Sequence, residues 1–78
     1  MPLHTYTVTC EWDTEAGVWY VADTDVPGLA TEADTVEAME RKLVAMIPEL
    51  LELNGVGQQA RQPIPFDFIA RKRELATA

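Results

Sequence analysis

Seven carboxylates in the first half of the chain, Glu11, Asp13, Glu15, Asp23, Asp25, Glu32 and Asp34, are the residues whose type and spacing offer chemistry. One use is electrostatic: acidic loops present charge to a basic partner, and complementary charge speeds encounter and favours the right partner. A second is catalytic, because clustered carboxylates can hold two divalent ions about 3.5 to 4 Å apart. The second is disfavoured. Trp12 separates Glu11 from Asp13 at a turn, Asp23 and Asp25 belong to a different strand end, and the helix offers only Glu37, Glu40, Glu49 and Glu52 on its outer side. No convergent site follows from such a layout. The plainest use of these charges is to solvate turns and strand ends.

Other residues that carry chemistry elsewhere read more simply here. His4 is the single histidine and has no acidic or Ser partner at a spacing that suits nucleophilic catalysis. Cys10, also single, lies in an alternating apolar strand and reads as a small core residue, which fits a reducing cytoplasm. No Cys and His set has zinc spacing, and Gly55-Val56-Gly57 is helix termination and not a nucleotide fingerprint. No cofactor is expected. Trp12 and Trp19 are assigned to the core because rings of that size bury so much area.

Composition narrows the classes further. At 78 residues, 47% apolar and 24% charged, the chain has the composition of one globular domain, with a core over about residues 4 to 70 and a tail from 71 to 78. A domain of this size buries only about 60% of the surface its unfolded form exposes, so a second copy would help it. The net charge of -7 opposes attraction to nucleic acid phosphates and suits a basic partner. The basic groups are uneven: up to residue 55 there are only Arg41 and Lys42, whereas Arg61, Arg71, Lys72 and Arg73 follow. Three such charges in a tail are weak grounds for nucleic acid binding. No signal-like leader and no apolar run near the ~20 residues of a membrane span is present, so a cytoplasmic protein is expected.

The elements that must position these groups follow from periodicity. Tyr6, Val8, Cys10 and Trp12 alternate with Thr5, Thr7, Thr9 and Glu11, a strand with one buried face. Asp13 to Gly17 has turn chemistry, and Val18 to Ala22 is rich in strand formers, which makes a hairpin. Pairing Trp12 with Trp19 and Cys10 with Val21 gathers the large apolar groups on one face and leaves Thr9, Glu11, Tyr20 and Ala22 opposite; a slip of one residue would mix the faces. Pro27-Gly28 suits the centre of a type II turn, and a short third strand is expected at Leu29 to Thr31. A helix starts at Asp34 or Thr35, with Asp34 and Glu37 at capping-box spacing and Gly55 as the stop after Asn54. Val36, Met39, Leu43, Ile47, Leu50 and Leu51 form its apolar stripe. Pro48 interrupts that helix and predicts a kink or break near Val44 to Pro48. Residues 56 to 63 read as a loop. Ile64, Phe66, Phe68 and Ala70 then alternate as a last strand, with pairing after Pro65 or an open edge at its nitrogen.

The run Asp25-Val26-Pro27-Gly28-Leu29, with Thr31 and the helix start Asp34-Thr35-Val36-Glu37, resembles the signature of the HicB-like antitoxin superfamily. Val8 to Asp13, Gly17-Val18-Trp19 and Pro48 to Asn54 are similar to its small single-domain branch of unknown function, and the likeness covers about residues 5 to 70. The resemblance implies a β-β-β-α-β core likened to a truncated ribonuclease H domain. It also implies binding to HicA, a small basic ribonuclease with a catalytic His, whose active site the antitoxin blocks. Many HicB proteins carry a C-terminal DNA-binding module; the eight residues Arg71 to Ala78 are too few to build one, so autorepression by this chain alone is not expected.

The expectation is therefore an α+β domain, β-β-β-α-β, with one helix on one face of a four-stranded mixed sheet. Its function would be noncatalytic: a dimeric protein-binding module that occludes a HicA-like ribonuclease. The alternative is a regulatory or housekeeping dimer with no toxin partner, joined to its partner through an open strand edge or the polar sheet face. Dimerisation is expected because a sheet covered on one side has two edges to protect.

Overall fold

The computed structural model describes residues 4–55 and 63–77. Strand β1 (Tyr6–Asp13), β2 (Val18–Thr24) and β3 (Glu32–Ala33) precede helix α1 (Val36–Leu53), and β4 (Phe66–Arg71) follows it. The four strands form one mixed sheet in the order β3-β2-β1-β4, with β1 antiparallel to β2 and parallel to β4. One helix packed against a four-stranded mixed sheet is the α+β arrangement expected from the pattern of elements.

The hairpin has the expected register: Trp12 pairs with Trp19, Glu11 with Tyr20 and Cys10 with Val21. Its loop closes where Asp13 Oδ1 accepts the backbone N–H groups of Glu15 and Ala16 at 3.0 and 3.2 Å, and Gly17 N–H donates to the Asp13 carbonyl at 2.8 Å. Gly17 supports this closure with a φ of 70°, in the left-handed region. Beyond Cys10 the ladder shifts, and Thr9 meets Asp23 instead of Ala22. Nothing in the sequence marks this bulge, since alternation in one strand carries no trace of an extra residue in its neighbour.

The Pro27-Gly28 turn forms as expected. Leu29 N–H donates to the Val26 carbonyl at 3.3 Å, and Gly28 has a φ of 75°. The third strand, however, lies at Glu32–Ala33 and not at Leu29 to Thr31. The turn drives Val26 and Leu29 into the core, 2% and 7% exposed, so the chain rejoins the ladder only where Val21 N–H reaches the Thr31 carbonyl at 3.2 Å. Burial outcompeted pairing.

Thr35, not Asp34, caps α1: its hydroxyl accepts the Ala38 N–H at 3.0 Å. Ala38 then occupies the position where a capping box needs an acid, so the Asp34 and Glu37 spacing goes unused. At the other end Asn54 caps the helix and Gly55 follows with a φ of 84°. Pro48 lies inside a single helix of 18 residues. Met39, Leu43, Ile47 and Leu51 recur every fourth residue, and all are at most 1% exposed. Each such burial favours folding by about 1.5 to 3 kcal/mol, which offsets the ~3 kcal/mol that an interior proline costs. Val36 and Leu50 of the expected stripe are half-buried.

Under the helix lie Tyr6, Val8 and Cys10 of β1 with Ala33, and Trp19, Val21, Phe66 and Phe68 pack at the margin. Trp12 and Trp19 meet edge to face with centroids 5.5 Å apart, but both are half-buried, and Trp12 lies outside the core cluster. The pair thus seals the hairpin end of the sheet instead of filling its centre. The last strand starts after Pro65, whose carbonyl accepts from Tyr6 N–H at 3.1 Å. Most of the expected loop at 56 to 63 lies outside the described residues, as do Arg61, Val56 and Gly57.

Candidate functional site: the uncovered sheet face

The helix covers one face of the sheet, and the ladders assign the residues of the other. Glu11 pairs with Tyr20, Tyr20 with Glu32, and Glu11 with Arg71 on its far side. These pairings draw a row Arg71, Glu11, Tyr20, Glu32 across all four strands. A second row runs Ile69, Thr9, Asp23, and Thr7 with Asp67 begins a third. Side chains alternate across a pleated sheet, so these residues share the face opposite the buried Val8, Cys10 and Ala33.

Among the described residues the face carries Glu11, Asp23, Glu32 and Asp67 against the single cation Arg71, and it presents Tyr20 and Ile69, 38% and 41% exposed. A half-exposed aromatic among carboxylates combines contact area with charge, as protein interfaces do. At its hairpin end the face dips into a shallow hollow of about 430 Å³, lined by Asp13, Glu15, Val18, Tyr20 and Glu32 with Trp12 and Thr14.

The seven acids singled out in the sequence separate accordingly. Asp13, Glu15 and Glu32 converge on the hollow, while Glu11 and Asp23 stand on the same face beyond it. Asp25 and Asp34 lie apart. Asp34 is an exposed residue between β3 and the Thr35 cap. Asp25 is engaged in the fold: Oδ1 accepts Thr7 N–H at 2.9 Å and Oδ2 lies 2.7 Å from His4 Nε2. The Thr7 amide, with His4 as a second donor, holds the Asp25 carboxyl below its ordinary range. His4 therefore has an acidic partner after all, brought to it by the fold over a separation that spacing in the sequence does not reveal. Asp13 contributes to the hollow while its Oδ1 is committed to the hairpin loop.

Among the described residues no group of His, Cys, Asp and Glu gathers in a way that could hold a metal ion. Burial raises the Cys10 thiol pKa, which keeps it protonated and a poor nucleophile. No helix among the described residues is long and apolar enough to cross a membrane. Arg71, which the sequence sets both in the alternation of the last strand and at the head of a basic tail, ends β4 beside Glu11. Only the parallel register of β1 and β4 puts it there. Lys72, next in the chain, turns to the other side and stands 4.8 Å from the Trp12 ring centre.

The sequence profile of the family described as a domain of unknown function, DUF1902, matches residues 5–77. Among solved structures the chain is similar to a hypothetical protein, TTHA1013, from the extremely thermophilic bacterium Thermus thermophilus. The two are 43% identical, the likeness covers 96% of this chain and 100% of the other, and the TM-score is 0.68. No curated protein matches the chain.

Proposed function

We propose that this chain, which belongs to the family described as a domain of unknown function, DUF1902, is a noncatalytic protein-binding module of the HicB-like kind that inhibits a small basic ribonuclease similar to HicA. The observation that carries this reading is the uncovered acidic face, where Glu11 and Glu32 flank Tyr20 in one cross-strand row and Asp13 and Glu15 border the adjoining hollow. A basic active site built to hold RNA phosphates would meet carboxylates there, and the sheet would exclude substrate by bulk. Complementary charge supplies the encounter rate, and Tyr20 the desolvated contact.

The test is copurification of the chain with a small, basic, His-containing protein encoded beside its gene, followed by an RNA cleavage assay. Loss of cleavage on adding the chain supports the reading; a neighbour that is neither bound nor inhibited sinks it. The edges of β3 and β4, unpaired among the described residues, favour a second reading, a dimeric regulatory or housekeeping binding domain with no toxin. In that case copurification would return a partner without ribonuclease activity.

A further inference from the structure

We infer that the free edge of β4 pairs antiparallel with the same edge of a second copy, about a two-fold axis at Ile69. This inference rests on the dimeric part of the proposed reading and names the surface that would serve it. The direction of the free amides follows from the parallel ladder. Tyr6 pairs with Phe66 and its N–H donates to the Pro65 carbonyl, so Asp67, Ile69 and Arg71 turn their backbone groups toward β1. Phe66, Phe68 and Ala70 leave theirs on the open side, unclaimed by β1. A second β4 laid antiparallel must match these residues with one another, and the axes that keep at least three residues of the strand paired lie at Asp67, Phe68, Ile69 and Ala70.

Side-chain chemistry chooses among the four. With the axis at Ile69, Asp67 stands opposite the partner's Arg71, Phe68 opposite the partner's Ala70, and Ile69 opposite the partner's Ile69. Each side therefore offers an ion pair, a large group against a small one, and an apolar centre, and the two-fold axis repeats them. An axis at Asp67 sets that carboxylate against its own copy, one at Phe68 sets Asp67 against the partner's Ile69, and one at Ala70 sets Ile69 against the partner's Arg71. All three lose the apolar centre.

Cysteine cross-linking of the whole chain tests the register. Facing residues without mutual hydrogen bonds in an antiparallel pair have Cα atoms about 4.5 Å apart, inside the about 4.4 to 6.8 Å that a disulfide spans. Under mild oxidation at low protein concentration, Ile69→Cys should convert from single chains to linked dimers. Asp67→Cys and Arg71→Cys should each stay unlinked alone and link when mixed. Wild type is the control, since Cys10 is buried. Ile69 and Asp67 are exposed, so their replacement leaves the core intact. A two-chain mass by light scattering with no linkage at these positions overturns the inference and leaves the dimeric reading standing; a single-chain mass with no linkage overturns both.

Discussion

Asp25 Oδ1 accepts the backbone N–H of Thr7 at 2.9 Å, and so ties the segment that leaves β2 to the start of β1. The carboxylate does in the folded chain what a further strand residue would do, satisfying an amide at the sheet margin. Its neighbour Thr24 reinforces the corner, donating from Oγ1 to the Thr7 carbonyl at 2.8 Å and accepting Val26 N–H at 3.1 Å.

The acid dependence of stability follows from this contact. The folded chain lowers the Asp25 pKa from its ordinary value of 3.8, so between the folded and unfolded values the unfolded chain binds more protons. Stability from this group is fully present above pH 3.8 and is lost as pH falls through the folded value. Asp25→Asn keeps an acceptor for Thr7 but cannot titrate. Urea midpoints followed into acid should fall less steeply for this variant than for wild type, and parallel curves would refute the assignment.

The cap assignment separates two adjacent residues. Thr35→Ala removes the acceptor for Ala38 N–H and should cost about 1 kcal/mol in urea denaturation, whereas Thr35→Ser should cost little. Asp34→Ala, whose side chain plays no capping part, should stay within about 0.5 kcal/mol of wild type. The reverse ranking would restore the capping box that the sequence spacing favoured.

Neighbouring helix positions should differ as sharply. Leu43 is fully buried and Val44 is 63% exposed. Leu43→Ala should destabilise by about 2 to 5 kcal/mol through lost burial and the cavity left behind, a large part of the ~5 to 15 kcal/mol that holds a typical domain. Val44→Ala at a concentration where the chain is monomeric should change stability by less than about 0.5 kcal/mol. Calorimetry on the two variants decides whether the stripe is placed correctly.

For the proposed partner interaction, Glu11→Gln with Glu32→Gln removes two charges from the uncovered face without touching the core. Association with a basic partner should slow by about tenfold at low salt, and the gap should close as salt rises. Asp34→Asn, which lies off that face, should leave the rate nearly unchanged. Stopped-flow rates that do not respond to Glu11 and Glu32 would move the interface elsewhere.

Much of this architecture is legible in the residues because it is local. The alternation from Tyr6 to Trp12, the turn residues Asp13, Gly17, Pro27 and Gly28, and the fourfold spacing of Met39, Leu43, Ile47 and Leu51 each encode an element within a few residues of themselves. The Trp12 and Trp19 register follows as well, since only one alignment keeps the apolar groups on one side. The bulge, the displacement of β3 and the choice of Thr35 over Asp34 as cap were not legible. Each is a competition between nearby options that core burial settles.

By itself the sequence determined the order of elements, the hairpin register and which helix face is apolar, because turn chemistry and periodicity act over short distances. Only the tertiary structure decided that Arg71 flanks Glu11, that Asp25 serves Thr7 and His4, and that Asp13, Glu15 and Glu32 share a hollow. Those relationships join strands far apart in the chain. They depend on the crossover that lays β4 beside β1, and no spacing of residues records how two distant strands align when packing against a common helix brings them together.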